Sequence, residues 1–143
     1  MTIKRIFVPT DFSAYSERAL ELGLEMARAF GARLQVFHCY QEVAGAGAPV
    51  GSAGLDESVR ETAEKELKAL VDRYDSDGVE LELDLIPGIF PGAAVLEAAQ
   101  KTTADLIVIG THGRTGLKHA LLGSVAEEVV REAHCPVVTV RVK

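Results

Sequence analysis

Short apolar runs alternate with amphipathic stretches along the whole chain. The runs are typical of strands, and the run at 79–86 alternates strictly between apolar and polar residues. That alternation indicates a half-buried strand near the edge of a sheet. Between the runs, apolar residues recur at helical spacing, which predicts helices. The predicted strands cover residues 4–8, 34–40, 79–86, 105–110 and 137–142.

Residues that stop or cap secondary structure separate these elements. Pro9 is expected to end the first strand, because proline cannot donate to a ladder. Ser13 suits the N-cap of the first helix and Gly31 its C-cap. The second helix is predicted over residues 55–74, and Pro91 suits the first turn of the third. The predicted apolar faces consist of Leu20, Leu24, Ala27 and Phe30; of Leu55, Val59, Ala63, Leu67, Val71 and Tyr74; of Ala94, Val95, Ala98 and Ala99; and of Val125, Val129 and Ala133.

The alternation of strands and helices predicts an α/β fold, a single-domain open five-stranded parallel sheet with helices on both faces. Ligands of such sheets bind at the carboxyl ends of strands, where the strand order reverses. The segments that leave those ends cover residues 9–13, 40–54, 87–91 and 110–123. The glycines at 45, 47 and 51 match a dinucleotide fingerprint only loosely, because they begin several residues after the strand. A surface loop is the favoured interpretation of that segment.

Length and charge narrow the function classes. The chain has 143 residues and a formal net charge of −6, which gives no electrostatic support for a nucleic-acid or anionic-membrane partner. No apolar run approaches the roughly 20 residues that a membrane span needs, and the N-terminus does not read as a signal peptide. Cys39 and Cys135 belong to no CxxC pair. A reduced cytoplasmic protein is expected.

The spacing Gly110-x-x-Gly113-(nine residues)-Gly123-Ser124 is the sharpest chemical signal. It follows a predicted buried strand and precedes a predicted helix. A glycine-bearing loop can turn backbone N–H groups toward an anion, and a helix N-terminus adds unpaired donors and the positive end of its dipole. The spacing therefore predicts a phosphate cradle. Each glycine taken alone could instead serve a tight turn or close helix packing.

This signature and the N-terminal KRIFVPTDFS resemble the universal stress protein family, and the resemblance covers essentially the whole chain. It implies a universal stress protein domain over residues 1–143 with the Rossmann-like fold of the adenine nucleotide alpha hydrolase type. It also implies that ATP binds, with Mg²⁺ or Mn²⁺ brought by its phosphates. The apolar last strand, 137–142, would promote aggregation if it were left unpaired at an edge of the sheet. The resemblance implies a homodimer through that strand; the alternative is an interior strand.

The resemblance also implies a role for each site residue. Pro9, Thr10 and Asp11 would line the adenosine, with Asp11 near the ribose hydroxyls, and Cys39 and Ile109 would flank the base. Backbone groups of Gly110, His112 and Gly113 would meet the ribose and phosphates, and Gly123, Ser124 and Val125 would cradle the phosphates. Ala126 stands where a threonine hydroxyl can occur, which removes a possible phosphate or metal contact.

Several of these residues have a second interpretation. Asp11 could merely cap the helix that begins near Ser13, and Cys39 is more typical of a small buried hydrophobe than of a reactive thiol. Arg114 and Lys118 could neutralise a triphosphate or could simply be solvated. The histidines form no set with the spacing of metal ligands, so no protein-held metal is expected.

The sequence contains no GxxxxGK[ST] loop and no support for a Ser-His-Asp triad. A nucleotide-binding protein is therefore favoured over a dedicated enzyme. The alternatives are a slow ATPase, a family member that works by protein contacts without nucleotide, and a flavin-binding electron carrier. The loop glycines argue against the nucleotide-free alternative. The lack of an aromatic sandwich beyond Phe12 and Tyr40 argues against the flavin carrier.

Overall fold

The computed structural model describes residues 1–41, 53–113 and 121–142. Within these ranges strands and helices alternate, as the pattern of apolar positions predicts. The elements are β1 (Arg5–Pro9), α1 (Ala14–Phe30), β2 (Arg33–Tyr40), α2 (Ala53–Asp72), β3 (Leu81–Pro87), α3 (Pro91–Lys101), β4 (Leu106–Gly110), α4 (Ser124–Glu132) and β5 (Val137–Val140).

All neighbouring strands are parallel, and their order across the sheet is β3-β2-β1-β4-β5. The chain winds from β1 through β2 to β3 in one direction and from β4 to β5 in the other. The order therefore reverses between β1 and β4, and the carboxyl ends of those strands flank the crevice where such folds bind ligands. Both β3 and β5 lie at edges, so the last strand is an edge strand, and the alternative of an interior last strand is wrong.

Two apolar clusters cover the two faces of the sheet. Successive side chains of a strand point to opposite faces, and β1 shows this directly, since Ile6 and Val8 belong to one cluster and Phe7 to the other. The first cluster receives α1 and α2, with Leu20 and Leu67 fully buried; the second receives α3 and α4. The predicted open five-stranded parallel sheet with helices on both faces is confirmed.

The ends of α1 are those that the sequence predicts. Ser13 is the N-cap, and its side chain accepts a hydrogen bond from the Ser16 amide; Gly31 is the C-cap at φ 65°. Phe30, however, is 49% exposed, so its predicted place on the buried stripe is wrong. At 100° per residue, Phe30 is rotated by roughly 80° from Leu20 around the helix, which takes it off the apolar face.

Several element boundaries differ from the prediction by a few residues. Pro9 is the last residue of β1 rather than the residue after it, because it pairs in register with Phe37 and the next amide, that of Thr10, donates to the Phe37 carbonyl at 2.8 Å. The last strand ends at Val140, two residues early, and α2 begins at Ala53 rather than at residue 55. The glycines at 45, 47 and 51 lie outside the described residues. No helix in the described ranges is long and apolar enough to cross a membrane.

Candidate functional site

A cavity of about 320 Å³ opens at the carboxyl edge of the sheet, where the strand order reverses. It lies between the ends of β1, β2 and β4 and the N-terminal turns of α3 and α4. That volume is within the usual range of small-molecule sites. The residues that line it are Pro9, Thr10, Asp11, Ser16, Phe37, Cys39, Pro91, Val95, Ile109, Gly110, His112, Gly113, Gly123, Ser124, Val125 and Ala126.

One side of the cavity is the turn between β1 and α1. The Thr10 hydroxyl accepts a hydrogen bond from the Phe12 amide at 3.1 Å and donates to Ser16 Oγ at 3.0 Å. Phe12 has φ 66°, in the left-handed region that residues other than glycine rarely adopt. These bonds fix a sharp turn at the end of β1 and direct Asp11 to the cavity wall.

The Asp11 carboxylate is held in place by the turn that carries it. Its Oδ1 accepts from the Ser13 amide at 3.0 Å, while the N-cap position of α1 belongs to Ser13. Asp11 therefore braces the turn just before the helix without being its cap. Its Oδ2 lies where a Cβ added to Gly113 would come within 2.5 Å. The bare Gly113 thus leaves room for the Asp11 carboxylate at the cavity wall.

The other signature glycines are also in contact with the protein itself. A Cβ at Gly110 would come within 2.7 Å of the Tyr15 backbone, so glycine allows α1 to pack closely on the end of β4. The Gly123 amide donates to the Thr111 carbonyl at 2.6 Å, and this bond joins the start of α4 to the end of β4. The Gly123 amide is therefore engaged within the protein, and the donors for an anion must come from the residues after it.

Those donors belong to the first turn of α4. The amides of Ser124, Val125 and Ala126 have no acceptor within the helix, because the first turn of any α-helix leaves its N–H groups without one. Gly123, at the N-cap, has no side chain with which to cap them. All three residues line the cavity. The positive end of the helix dipole therefore faces the cavity together with these amides, an arrangement that suits an anion.

Part of the cavity wall is apolar. Phe37 and Val95 are almost fully buried, and Ile109 is 5% exposed; they come from β2, α3 and β4 and line the cavity together. The Cys39 side chain stands at its border, and burial raises the pKa of its thiol. The cavity thus combines an apolar wall, which suits a flat ring, with a carboxylate and a set of backbone donors.

The histidines near the site have structural neighbours. His112 Nδ1 lies 3.1 Å from Thr111 Oγ1, and its ring packs against Tyr15 with centroids 5.2 Å apart. His38 Nδ1 lies 2.7 Å from the Thr10 carbonyl, which requires Nδ1 to carry the proton, and its ring packs on Phe12. In the described ranges, no group of three or more His, Cys, Asp or Glu side chains could hold a metal ion.

Every predicted site residue that the structure describes lines this one cavity, although they come from four separate segments of the chain. Arg114 and Lys118 lie outside the described residues. Sequence reasoning missed four lining residues, Ser16, Phe37, Pro91 and Val95, and it considered Ala126 only as the loss of a possible phosphate or metal contact. Phe37 was visible only as part of an apolar strand, and Val95 only as part of a helix stripe. Nothing in the spacing of Phe37 and Val95 indicates that they face a ligand. Ser16 could have been noticed, because a serine just inside the start of a helix is a polar residue close to the end of β1.

Comparison with known proteins agrees with this architecture. The universal stress protein family model matches residues 2–141 of the chain. A universal stress protein of Methanocaldococcus jannaschii, MJ0531, is 35% identical over 140 residues, which cover 96% of this chain and 82% of that protein. The solved structure of MJ0577 from the same organism has a TM-score of 0.82 at 28% identity and covers 100% of this chain and 99% of that one.

Another similar structure was solved with a ligand bound. The universal stress protein from Archaeoglobus fulgidus, solved in complex with dAMP, has a TM-score of 0.65 at 28% identity and covers 98% of this chain and 99% of that one. The family model spans nearly the full length of the chain, and the sheet and its helices match solved members of the same family. This chain therefore belongs to the universal stress protein family.

Proposed function

We propose that this chain binds ATP in the cavity at the carboxyl edge of the sheet and acts as a dimeric, nucleotide-dependent stress-response or signalling protein. The observation that carries the proposal is the composition of the cavity, which joins an apolar wall, a fixed carboxylate and the N-terminus of α4. These three environments suit, respectively, the purine, the ribose and the phosphates of a nucleotide. The dAMP complex of the Archaeoglobus fulgidus relative supports the assignment to adenine nucleotides.

The apolar wall would hold the base. Phe37, Val95 and Ile109 offer carbon surfaces that exclude water from the faces of a purine ring. Such contacts give affinity in proportion to the apolar area removed from water. Cys39 at the border of the same wall would add a small, weakly polar side chain to this contact, and Pro9 would close it beside β1.

The carboxylate would receive the ribose. Asp11 is oriented by the Ser13 amide, so its carboxylate loses little side-chain freedom when a ribose binds. A carboxylate oxygen accepts hydrogen bonds from hydroxyls, and vicinal hydroxyls can share one carboxylate. The backbone of Gly110, His112 and Gly113 forms the adjoining wall on the way to α4.

The first turn of α4 would hold the phosphates. The Ser124 and Val125 amides, together with the Ser124 hydroxyl, would donate to phosphate oxygens in the field of the helix dipole. Mg²⁺ or Mn²⁺ would arrive on the phosphates and keep most of its waters, as such ions usually do. Backbone amides neither accept a proton nor attack phosphorus, so this arrangement favours binding over hydrolysis.

The dimer would form through β5. Among the described strands, β5 pairs with β4 alone and lies at the edge of the sheet. The Pro136 and Val140 carbonyls accept hydrogen bonds from the side of β4, so the alternation along a strand turns the N–H and C=O groups of Thr139 outward. An antiparallel copy of the same strand, related by a two-fold axis, would pair with those groups and remove the exposed edge.

A proline substitution tests the phosphate-binding step. Ser124→Pro deletes the Ser124 amide donor at the first position of α4, where proline is well tolerated. Gly123 before it is extended, at φ −71° and ψ 168°, as a residue preceding proline should be. Ser124→Ala is the matched control, since it removes the hydroxyl and keeps the amide.

Isothermal titration calorimetry with ATP and Mg²⁺ should show binding by the wild-type protein near one ATP per chain. Losing a hydrogen bond to a charged phosphate should weaken ATP binding by Ser124→Pro roughly tenfold to a hundredfold, and by Ser124→Ala less. Equal ATP affinity of Ser124→Pro and wild type would remove the α4 N-terminus from the proposal. The absence of any ATP binding by the wild type would overturn it altogether.

A further inference from the structure

A short series of hydrogen bonds joins helix α1 to the turn that carries Asp11, and Ser16 is its member on the helix. Ser16 Oγ accepts from the Thr10 hydroxyl at 3.0 Å and donates to the Ser13 carbonyl at 2.9 Å. Both Thr10 and Ser16 are only 5% exposed, and both line the cavity. These are buried polar groups whose bonding needs are met by each other, which makes their geometry strict.

The Ser16 hydroxyl determines which way the Thr10 hydroxyl points. Because the Thr10 proton is directed at Ser16, the hydroxyl is held in a rotation in which Thr10 Oγ1 accepts from the Phe12 amide, 3.1 Å away. Phe12 has φ 66°, a conformation that persists only where the surroundings enforce it. The bond from Ser16 is thus part of what enforces the sharp turn.

In sequence, Asp11 lies between Thr10 and Ser13, which are both hydrogen-bonded to Ser16. The Asp11 carboxylate accepts a hydrogen bond from the Ser13 amide. We propose that Ser16 is a positioning residue that makes the cavity selective for a ribose with both vicinal hydroxyls, because it holds the turn that directs the Asp11 carboxylate. This inference rests on the proposed function, in which Asp11 receives those hydroxyls. Ser16 itself contacts the turn, and its effect on the sugar passes through Asp11.

The test is the ratio of the dissociation constants for 2′,3′-dideoxy-ATP and ATP, measured by calorimetry. In the wild type, hydroxyl hydrogen bonds to a charged carboxylate should make this ratio roughly tenfold or more. Ser16→Ala should lower this ratio of dissociation constants to about threefold or less, since an Asp11 carboxylate that is less well oriented forms weaker hydrogen bonds to the ribose. Ser16→Thr keeps the hydroxyl, can make the same bond to the carbonyl three residues back, and should restore the wild-type ratio.

A matched control removes a similar bond elsewhere. The Thr102 hydroxyl donates to the Ala98 carbonyl at 2.9 Å near the end of α3, away from the cavity lining. Thr102→Val should leave the ratio of the two dissociation constants unchanged, even if it lowers the melting temperature as much as Ser16→Ala does. Should Ser16→Ala fail to fold, Thr10→Val removes the other end of the same bond with little change in shape.

The outcomes separate this inference from the proposed function. Ser16→Ala or Thr10→Val with a native circular dichroism spectrum and an undiminished ratio would overturn the inference while ATP binding stands. A wild type that binds ATP and the dideoxy analogue equally well would overturn the inference together with the assignment of the ribose hydroxyls to Asp11, while ATP binding itself stands. A wild type that binds neither nucleotide would overturn both.

Discussion

The first prediction concerns Gly110, whose missing side chain serves the fold. A Cβ at this position would lie 2.7 Å from the Tyr15 carbonyl carbon and 2.8 Å from its oxygen and Cβ. Carbon atoms normally approach to about 3.5–4.0 Å, so Gly110→Ala requires α1 to move away by roughly 1 Å. The helix cannot do so freely, because its first turn is bonded to the β1–α1 turn through Ser16.

The size of the effect follows from this overpacking. Inserting a methyl group into a well-packed site costs typically about 1–3 kcal/mol of folding free energy. Gly110 is not among the glycines with positive φ, so alanine suffers no backbone strain there, and its lower unfolded-state entropy returns about 0.4–1 kcal/mol. Because the atoms in the way are backbone, we expect a cost in the upper part of that range and a net loss of about 1–2.6 kcal/mol, or a melting temperature lower by roughly 3–10 °C.

Thermal and urea unfolding of the nucleotide-free protein, followed by circular dichroism, measure this loss. Gly113→Val is the contrasting variant, because among the described residues its Cβ would meet the Asp11 side chain, with Oδ2 at 2.5 Å, and the end of a side chain can move. We expect Gly113→Val to fold with nearly wild-type stability and to lose nucleotide binding, since the Asp11 carboxylate is displaced. If Gly110→Ala is as stable as the wild type, or Gly113→Val binds ATP normally, the division between a folding glycine and a binding glycine is refuted.

Two further predictions concern the dimer and the thiol. Thr139→Pro removes an outward N–H of β5 and should convert a dimer to monomers in sedimentation velocity, whereas Thr139→Val should remain dimeric; a Thr139→Pro dimer would exclude pairing through β5. Burial raises the pKa of the Cys39 thiol, so at neutral pH its thiolate fraction lies below that of a free cysteine and rises only at alkaline pH. Alkylation of Cys39 by iodoacetamide, followed by mass spectrometry, should be slower than that of glutathione at pH 7.5 and slower again with ATP; fast alkylation unaffected by ATP would contradict its place at the base.

The sequence was sufficient to predict the elements and the class of fold. Periodicity located the strands and helices, because each element buries one face or both in a parallel sheet, and the stop signals at Ser13 and Gly31 are local chemistry. Phe30 shows the limit of that reasoning, since its spacing of three from Ala27 fits a stripe while its direction around the helix does not.

The site was predictable where a motif marked it and not where packing made it. The spacing of Gly110, Gly113 and Gly123 pointed to the right edge of the sheet, but not to the partner of each glycine. Gly110 contacts Tyr15, and Gly113 faces Asp11. Each of these contacts joins two segments about a hundred residues apart in the sequence, so it forms only when the chain folds and no local pattern predicts it. For the same reason, Phe37 and its apolar neighbours could not be assigned to the cavity from the sequence.

The most direct test of the central claim is a crystal structure of the protein grown with saturating ATP and Mg²⁺. The account predicts phosphate oxygens at hydrogen-bonding distance, about 2.7–3.2 Å, from the Ser124 and Val125 amides, with the ribose hydroxyls at Asp11 and the base against Phe37 and Ile109. An ATP molecule bound elsewhere on the protein, or electron density showing the cavity without nucleotide at saturating ATP, would contradict it.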